Sequence, residues 1–513
     1  MLFRSAALVL AAMVLLAAVP VPATAATPAA PHAPLGTNLA GIASWSTETP
    51  FVDAFHTARP WISNRTGEPW GEGGPLDLTP EGWVASLAPG QRADTVLLDG
   101  GGYPEGRYTI RWKGTGTIGF TIDPPKIVAE GDHRIVVVPD VRNGLWLSVT
   151  ETDPADPVRE IEVLLPGFGD LAEPPLFLPR FLDQLAGFGV LRFMDWMRTN
   201  DPEVGSGALG RARMDDATWM IRGVPMEAIG ALAGRLDADP WITIPHAATD
   251  AQARALLVAL DGALEPGRRI WIEWSNETWN PAFPQAAYAI EQGTALDLSD
   301  DPFQAGLFYH ARRATELFAI ATDAIGRDRY VGVLAAQSAN PWTGEQVATF
   351  EGAAAHADVL AIAPYIDGFG DPATAATIRE LTVRQLLRRM RRVVEGPLRT
   401  STEENRSVAT ANGLDLVAYE GGQHLVGVLG AENDARLTAL FTDANRAAGM
   451  ARLYRRYLRM WSGASGGGLL VHYLDVSDYG KWGSWGARET QLQGLWQAPK
   501  ARALRRWMAN APG

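Results

Sequence analysis

A chain of 513 residues with 47% hydrophobic residues can bury a large core, and its length suggests one large domain plus something smaller. It contains 0 Cys, which excludes disulfides, thiolate metal sites, a cysteine nucleophile and lipid attachment through Cys. The net charge of −13 argues against nucleic acid as a partner, because affinity for phosphate backbones rests on clustered Lys and Arg; a neutral substrate fits better. The 18 Trp offer flat indole faces of the kind that sugar rings stack on, although a large core also uses Trp.

Arg4, the apolar stretch from Ala6 to Ala18 and the small residues Ala23-Thr24-Ala25 make residues 1–25 an expected export signal, cleaved near Ala25. The expectation is a secreted or periplasmic protein, the alternative being a retained N-terminal anchor. No later apolar run of about 20 residues is long enough to span a bilayer. A Pro/Ala linker and the first barrel strand region then occupy residues 26–93. Residues 94–166 are all-β in character: Thr95 to Leu98, Gly106 to Trp112, Thr117 to Ile122, His133 to Val138, Leu145 to Thr150 and Glu160 to Leu165 read as strands. Strands of that length and spacing suggest a small sandwich.

On either side the pattern is strand, loop, helix. Gly36 to Ser44, Val190 to Met194, Trp241 to Pro245, Ile270 to Trp274, Tyr330 to Ala335, Val359 to Ala363, Leu414 to Tyr419 and Gly468 to Tyr473 read as buried strands. Helical periodicity marks Phe177 to Phe188, Met226 to Leu236, Ala251 to Leu264, Phe303 to Ile325, Ala375 to Glu395 and Asn433 to Trp461. The expected fold is an α/β (β/α)8 TIM barrel with the sandwich inserted after its first strand and residues 167–513 completing the barrel. An open doubly wound sheet is the competing architecture.

Barrel chemistry sits where strands end. Those positions hold Arg192, Asp195 and Trp196 in or just after the second strand, His246 after the third, and Asn276, Glu277 and Trp279 after the fourth. Gln337 follows the fifth, Tyr365 and Asp367 the sixth, Glu420 and His424 the seventh, and His472, Tyr473 and Asp475 the eighth. Glu277 and Glu420 stand out, each arriving as an apolar strand emerges. Two carboxyl groups facing one another over a barrel mouth suit glycoside cleavage with retention, which requires a separation of about 5 to 5.5 Å.

Ile-Glu-Trp-Ser-Asn-Glu-Thr-Trp-Asn, from Ile272 to Asn280, resembles the fourth-strand motif of clan A glycoside hydrolases, and Leu416 to Gly422 looks like the nucleophile strand of that clan. The resemblance implies Glu277 as acid/base, Asn276 as the anchor of a sugar 2-hydroxyl and Glu420 as nucleophile. It also implies Arg192 as the residue that keeps the nucleophile ionised and Tyr365 as its hydrogen-bond donor. It covers the barrel and not the sandwich. The sequence departs from the clan at strand eight, where His472-Tyr473 stands in place of a stacking Trp, leaving Trp482 or Trp485 of the following loop as the platform.

Trp274 and Trp279 around Glu277 are expected to raise its pKa by excluding water. His246, Gln337 and His472 join Trp279, Trp482 and Trp485 as expected substrate contacts, each His having a structural role as its alternative. His246, His424 and His472 come from different strands with no ligand pair at helical spacing, so no metal site is expected, and a retaining glycosidase requires no cofactor. The reading is a secreted, endo-acting retaining hydrolase of β-linked poly- or oligosaccharide. The alternatives are an inactive glycan-binding barrel and a transglycosylase. Sugar, linkage and oligomeric state are not encoded in any motif.

Overall fold

The computed structural model describes residues 34–205 and 210–510; the expected export signal at residues 1–25 lies outside them. Eight parallel strands close on themselves. They are β1 (Leu35–Asn38), β2 (Val190–Arg192), β3 (Asp239–Ile244), β4 (Ile270–Trp274), β5 (Tyr330–Ala335), β6 (Val359–Ile362), β7 (Asp415–Ala418) and β8 (Leu470–His472). Closure comes from β1, which pairs with β2 on one side and β8 on the other. All eight overlap the segments read as strands, and those from β3 to β6 are near-continuous apolar runs, as expected of strands buried on both faces. The open-sheet alternative is thereby excluded.

Alternation along each strand divides the core in two. Ile270, Ile272 and Trp274 of β4 join the large cluster between strands and helices, whereas Trp271 joins Trp241, Val331, Val333, Ala361, Val417 and Val471 inside the barrel. Strand β1 stops at Asn38, short of the expected Ser44. Beyond it the Ala40 amide donates to the Glu48 carboxylate at 3.1 Å instead of to a neighbouring strand, so a side chain ends the ladder.

Among the helices, Met226–Leu236 matches its expected range, while the amphipathic stretch around Ala375 is two helices, Pro372–Ile378 and Val383–Glu395. The second begins with a capping box, in which Thr382 and Gln385 satisfy one another's backbone amides, and that is the local signal for a new start. Pro284–Ala295, Pro341–Thr349, Pro397–Ala411 and Pro499–Met508 are further helices, each opening on a proline, where the missing N–H costs nothing.

Between β1 and β2 lie two four-stranded antiparallel sheets. One consists of Ile62–Arg65, Gln91–Leu97, Leu145–Thr152 and Gly116–Phe120; the other of Arg159–Leu164, Tyr108–Lys113, Arg134–Val138 and Lys126–Gly131. They share a core that includes Leu97, Leu147 and Val149 from the first and Tyr108, Ile135 and Val163 from the second. The first sheet recruits Ile62–Arg65, upstream of the Asp94 at which the sequence reading starts the β-rich segment. Asn64 of that strand donates to the buried Asp94 carboxylate at 2.6 Å, so a polar pair ties the early strand in. Among the described residues, no helix is long and apolar enough to cross a membrane.

Candidate active site

Arg192, at the C-terminal end of β2, is fully buried in the barrel interior. Its Nε and Nη2 grip the Glu273 carboxylate at 3.1 and 2.9 Å, and the Trp241 indole N–H donates to the same carboxylate at 2.8 Å. Nη1 reaches Glu420 Oε1 at 2.7 Å and Asn38 Oδ1 at 3.1 Å, and Nη2 also reaches Asn276 Oδ1 at 2.9 Å. One planar guanidinium therefore fixes two carboxylates and two amides, which a lysine's single nitrogen does not do.

Glu420 receives a second donor, the Tyr365 hydroxyl at 2.8 Å from Oε2. Both carboxylate oxygens are held, and the side chain is only slightly open to solvent. Charge-assisted donors on each oxygen orient an anion for attack along a fixed direction.

Glu277 follows β4 through a backbone in the left-handed region, with φ of 58° at Ser275 and 45° at Glu277 itself. Such φ values are strained for residues with a Cβ and recur where a side chain has to be aimed. Its Oε1 accepts from Tyr419 Oη at 3.0 Å and its Oε2 from Asn280 Nδ2 at 2.7 Å. Burial first, and then the negative charge of Glu420, push the Glu277 carboxyl up to about 7. One carboxyl that keeps its proton near neutrality faces a cleft shared with another that is paired to an arginine. Environments of that kind separate a general acid from a nucleophile.

Asn276 is oriented from both ends. Besides accepting from Arg192, it donates through Nδ2 to Asn200 Oδ1 at 3.1 Å, and Gln285 Nε2 donates to that same oxygen at 2.7 Å.

Of these groups, Asn200, Asn276, Glu277, Asn280, Tyr365 and Glu420 line a cavity of about 730 Å³, together with Trp279, Gln337, Tyr473 and Trp485. Trp485 meets Tyr365, His424 and Tyr473 edge-on at 5.9, 5.0 and 5.7 Å between ring centres. Its backbone is tied down from below by Lys500, which is fully buried and donates to the carbonyls of Ser484 and Trp485. His424 pairs with Asp367 at 3.0 Å on the same wall.

Three of the expected substrate contacts fall elsewhere. His472 is fully buried, with Nε2 3.2 Å from Tyr454 Oη, and burial pushes its imidazole down to about 3. The cause is strand parity: Val471 points into the barrel, so its neighbours Leu470 and His472 point to the helices, and it is Tyr473 that reaches the cleft. His246 packs on Tyr288 at 5.0 Å between ring centres instead of lining the cleft. Trp482 is 71% exposed, with Lys481 Nζ 4.6 Å from its ring centre, so of the two loop tryptophans only Trp485 borders the cavity.

Asn38, Asn200, Glu273, Asn280, Gln285 and Tyr419 belong to this network and were not singled out in the sequence. Glu273 had a signal, a lone carboxylate inside the apolar run Ile270–Trp274, where burial demands a cationic partner. Among the described residues, no three His, Cys, Asp or Glu side chains are arranged to hold a metal ion.

No family model matches the chain, and no curated protein matches its sequence. Among solved structures it is similar to a 4-O-alpha-L-rhamnosyl-beta-D-glucuronidase from Fusarium oxysporum 12S, at 13% identity over 64% of this chain and 63% of that one, with a TM-score of 0.38. It is also similar to an endo-beta-1,4-mannanase from Cellulomonas fimi, at 12% identity over 63% of this chain and 62% of that one, TM-score 0.35. A broad specificity endoglucanase from an uncultured bacterium matches at 14% identity over 64% of this chain and 83% of that one, TM-score 0.34. The chain spans less than two thirds of the length of the first two.

Proposed function

We propose that the protein is a retaining glycoside hydrolase that cleaves β-linked poly- or oligosaccharide by double displacement. The observation that carries this reading is the unequal treatment of two carboxyls in one cleft. Glu420 is bound by Arg192 and Tyr365 through separate oxygens, while Glu277 is buried and raised to about 7.

In the first step a Glu420 oxygen attacks the anomeric carbon. The bond from that carbon to the glycosidic oxygen breaks, and the leaving oxygen takes the proton of Glu277. Attachment of the sugar removes the negative charge of Glu420, so Glu277, now ionised, becomes the stronger site for negative charge near the reaction centre. In the second step Glu277 accepts a proton from water as the water oxygen attacks the same carbon and the bond to Glu420 breaks. Asn276, held by Arg192 and Asn200, would present its amide to the sugar 2-hydroxyl, as the motif resemblance implies. The export-signal pattern of residues 1–25 supports action outside the cytoplasm, and a cleft bordered by Trp279 and Trp485 suits an extended chain and endo action.

Purified protein is to be screened against β-glucans, mannans, xylans and bacterial exopolysaccharides, followed by Glu420→Ala on whichever is cleaved. That variant is expected to be inactive, and azide is expected to restore turnover with inverted product. Undiminished hydrolysis by Glu420→Ala without azide contradicts the reading. A product ladder, as against single sugars, supports the endo mode.

A further inference from the structure

After β1 the chain forms a loop, residues 39–49, that carries Trp45 at the barrel mouth. The indole is 53% exposed and borders a second cavity of about 520 Å³, with Asp195, Arg198 and Asp478 on its walls. Asn200 and Tyr473 line this cavity and also the catalytic cleft, so the two adjoin.

The antiparallel sheets hold this loop from behind. Arg59 is bound to the strand Gln91–Leu97 through its backbone, its amide donating to Val96 O at 3.1 Å and its carbonyl accepting from Thr95 Oγ1 at 2.7 Å. The Arg59 guanidinium lies 5.0 Å from the centre of the Trp45 ring, donates to Ser44 Oγ at 2.8 Å and pairs with Asp99. The Asp99 amide in turn donates to Ser44 O at 3.0 Å. Gly100 packs so close that a Cβ there would stand 2.3 Å from the Trp45 carbonyl oxygen. A cation on one indole face fixes the ring and leaves the opposite face for a ligand.

We infer that Trp45 is the platform of a distal subsite for a further sugar unit of an extended neutral glycan, and that the inserted sandwich exists to hold it. The choice of glycan as ligand rests on the proposed hydrolase reading. The ring face carrying a pyranose's C–H groups stacks on indole, while its rim hydroxyls meet the carboxylates and guanidinium on the cavity walls. A subsite adjoining the cleft adds affinity only for chains long enough to reach both.

The test is affinity electrophoresis of the full chain in native gels cast with soluble β-glucan, galactomannan or arabinoxylan, in a Glu420→Gln background that leaves the polymer intact. Retardation is expected in at least one gel. Trp45→Ala is expected to weaken apparent binding on the order of ten-fold, as loss of one stacked aromatic contact and its buried area does. Trp45→Phe should restore most of it, and Gly100→Ala, which displaces the loop without touching the indole, should reproduce the loss. Equal retardation of Trp45→Ala and its parent overturns the inference, as does absence of retardation in all three gels. Hydrolysis of aryl β-glycosides by the unmodified chain reports on the catalytic reading separately. Turnover with Trp45-independent retardation removes the subsite alone, and Trp45-dependent retardation without turnover removes the hydrolase alone.

Discussion

Tyr419 donates its hydroxyl to Glu277 Oε1 at 3.0 Å, so the segment that delivers Glu420 also holds the Glu277 carboxyl. Donation to a carboxylate favours the ionised form and works against the burial and the Glu420 charge that raise Glu277. Tyr419→Phe is therefore expected to move the alkaline limb of kcat/KM to higher pH and to lower kcat through loss of alignment. An unmoved limb in a pH-rate profile would show that this hydroxyl does not tune the acid.

On the proposed mechanism Glu277 has to be protonated for the first step, so the alkaline limb should fall through about pH 7. Glu277→Gln should abolish that limb and cost about 10²- to 10⁴-fold with sugar leaving groups. With a dinitrophenyl leaving group, which departs without a proton, the first step should be far less impaired. Equal losses with both leaving groups would argue against the acid role.

Arg192 is the shared partner of Glu273 and Glu420 in a dry interior. Arg192→Ala leaves both carboxylates unpaired, and removing one member of a buried ion pair costs about 3–5 kcal/mol. Urea unfolding should show a loss of that order together with loss of turnover, while a midpoint close to that of the parent would mean that the buried pairs are not what the distances indicate.

Three carboxyls outside the reacting pair, Asp475 buried and Asp53 and Asp195 partly so, are also raised by desolvation: Asp53 and Asp195 to about 7 and Asp475 to about 6. A folded-state pKa above the unfolded one means that the folded chain binds more protons in between. The stability they contribute is complete below about pH 4 and is lost as pH rises toward 7. These groups alone make Tm fall between pH 5 and pH 8, and Asp53→Asn, whose side-chain oxygen can still accept from the Phe55 and Val163 amides, should flatten the slope. A slope unchanged in Asp53→Asn would locate the dependence elsewhere.

Much of the barrel is legible because strands such as Ile270–Trp274 and Tyr330–Ala335 are buried on both faces and read as near-continuous apolar runs. The same property hid the interior. A run such as Ile270–Trp274 does not announce which side chains point inward, so Glu273 passed as a strand residue although it is the bidentate partner of Arg192. His472 shows the same limit: its place at a strand end suits either a substrate contact or a structural residue, and alternation along the strand turns its ring to Tyr454. Glu277 and Glu420 were visible because each ends an apolar run, and Arg192 because a cation inside such a run has to find partners. Asn38 and Asn200 carry no such mark, being common residue types whose meaning comes only from the guanidinium or amide they meet in space. The Ile62–Arg65 strand was missed because its hydrophobic content is one residue, and it is held by Asn64 and sheet pairing instead of by an apolar face.

The account stands on covalent attachment of the sugar to Glu420, and the anomeric configuration of the first product reads this directly. Proton NMR of a β-linked substrate during the first minutes of hydrolysis, before mutarotation, should show the β-anomer appearing first, because two inversions restore the starting configuration. The α-anomer appearing first would mean that water attacks in a single step and that Glu420 is not the nucleophile.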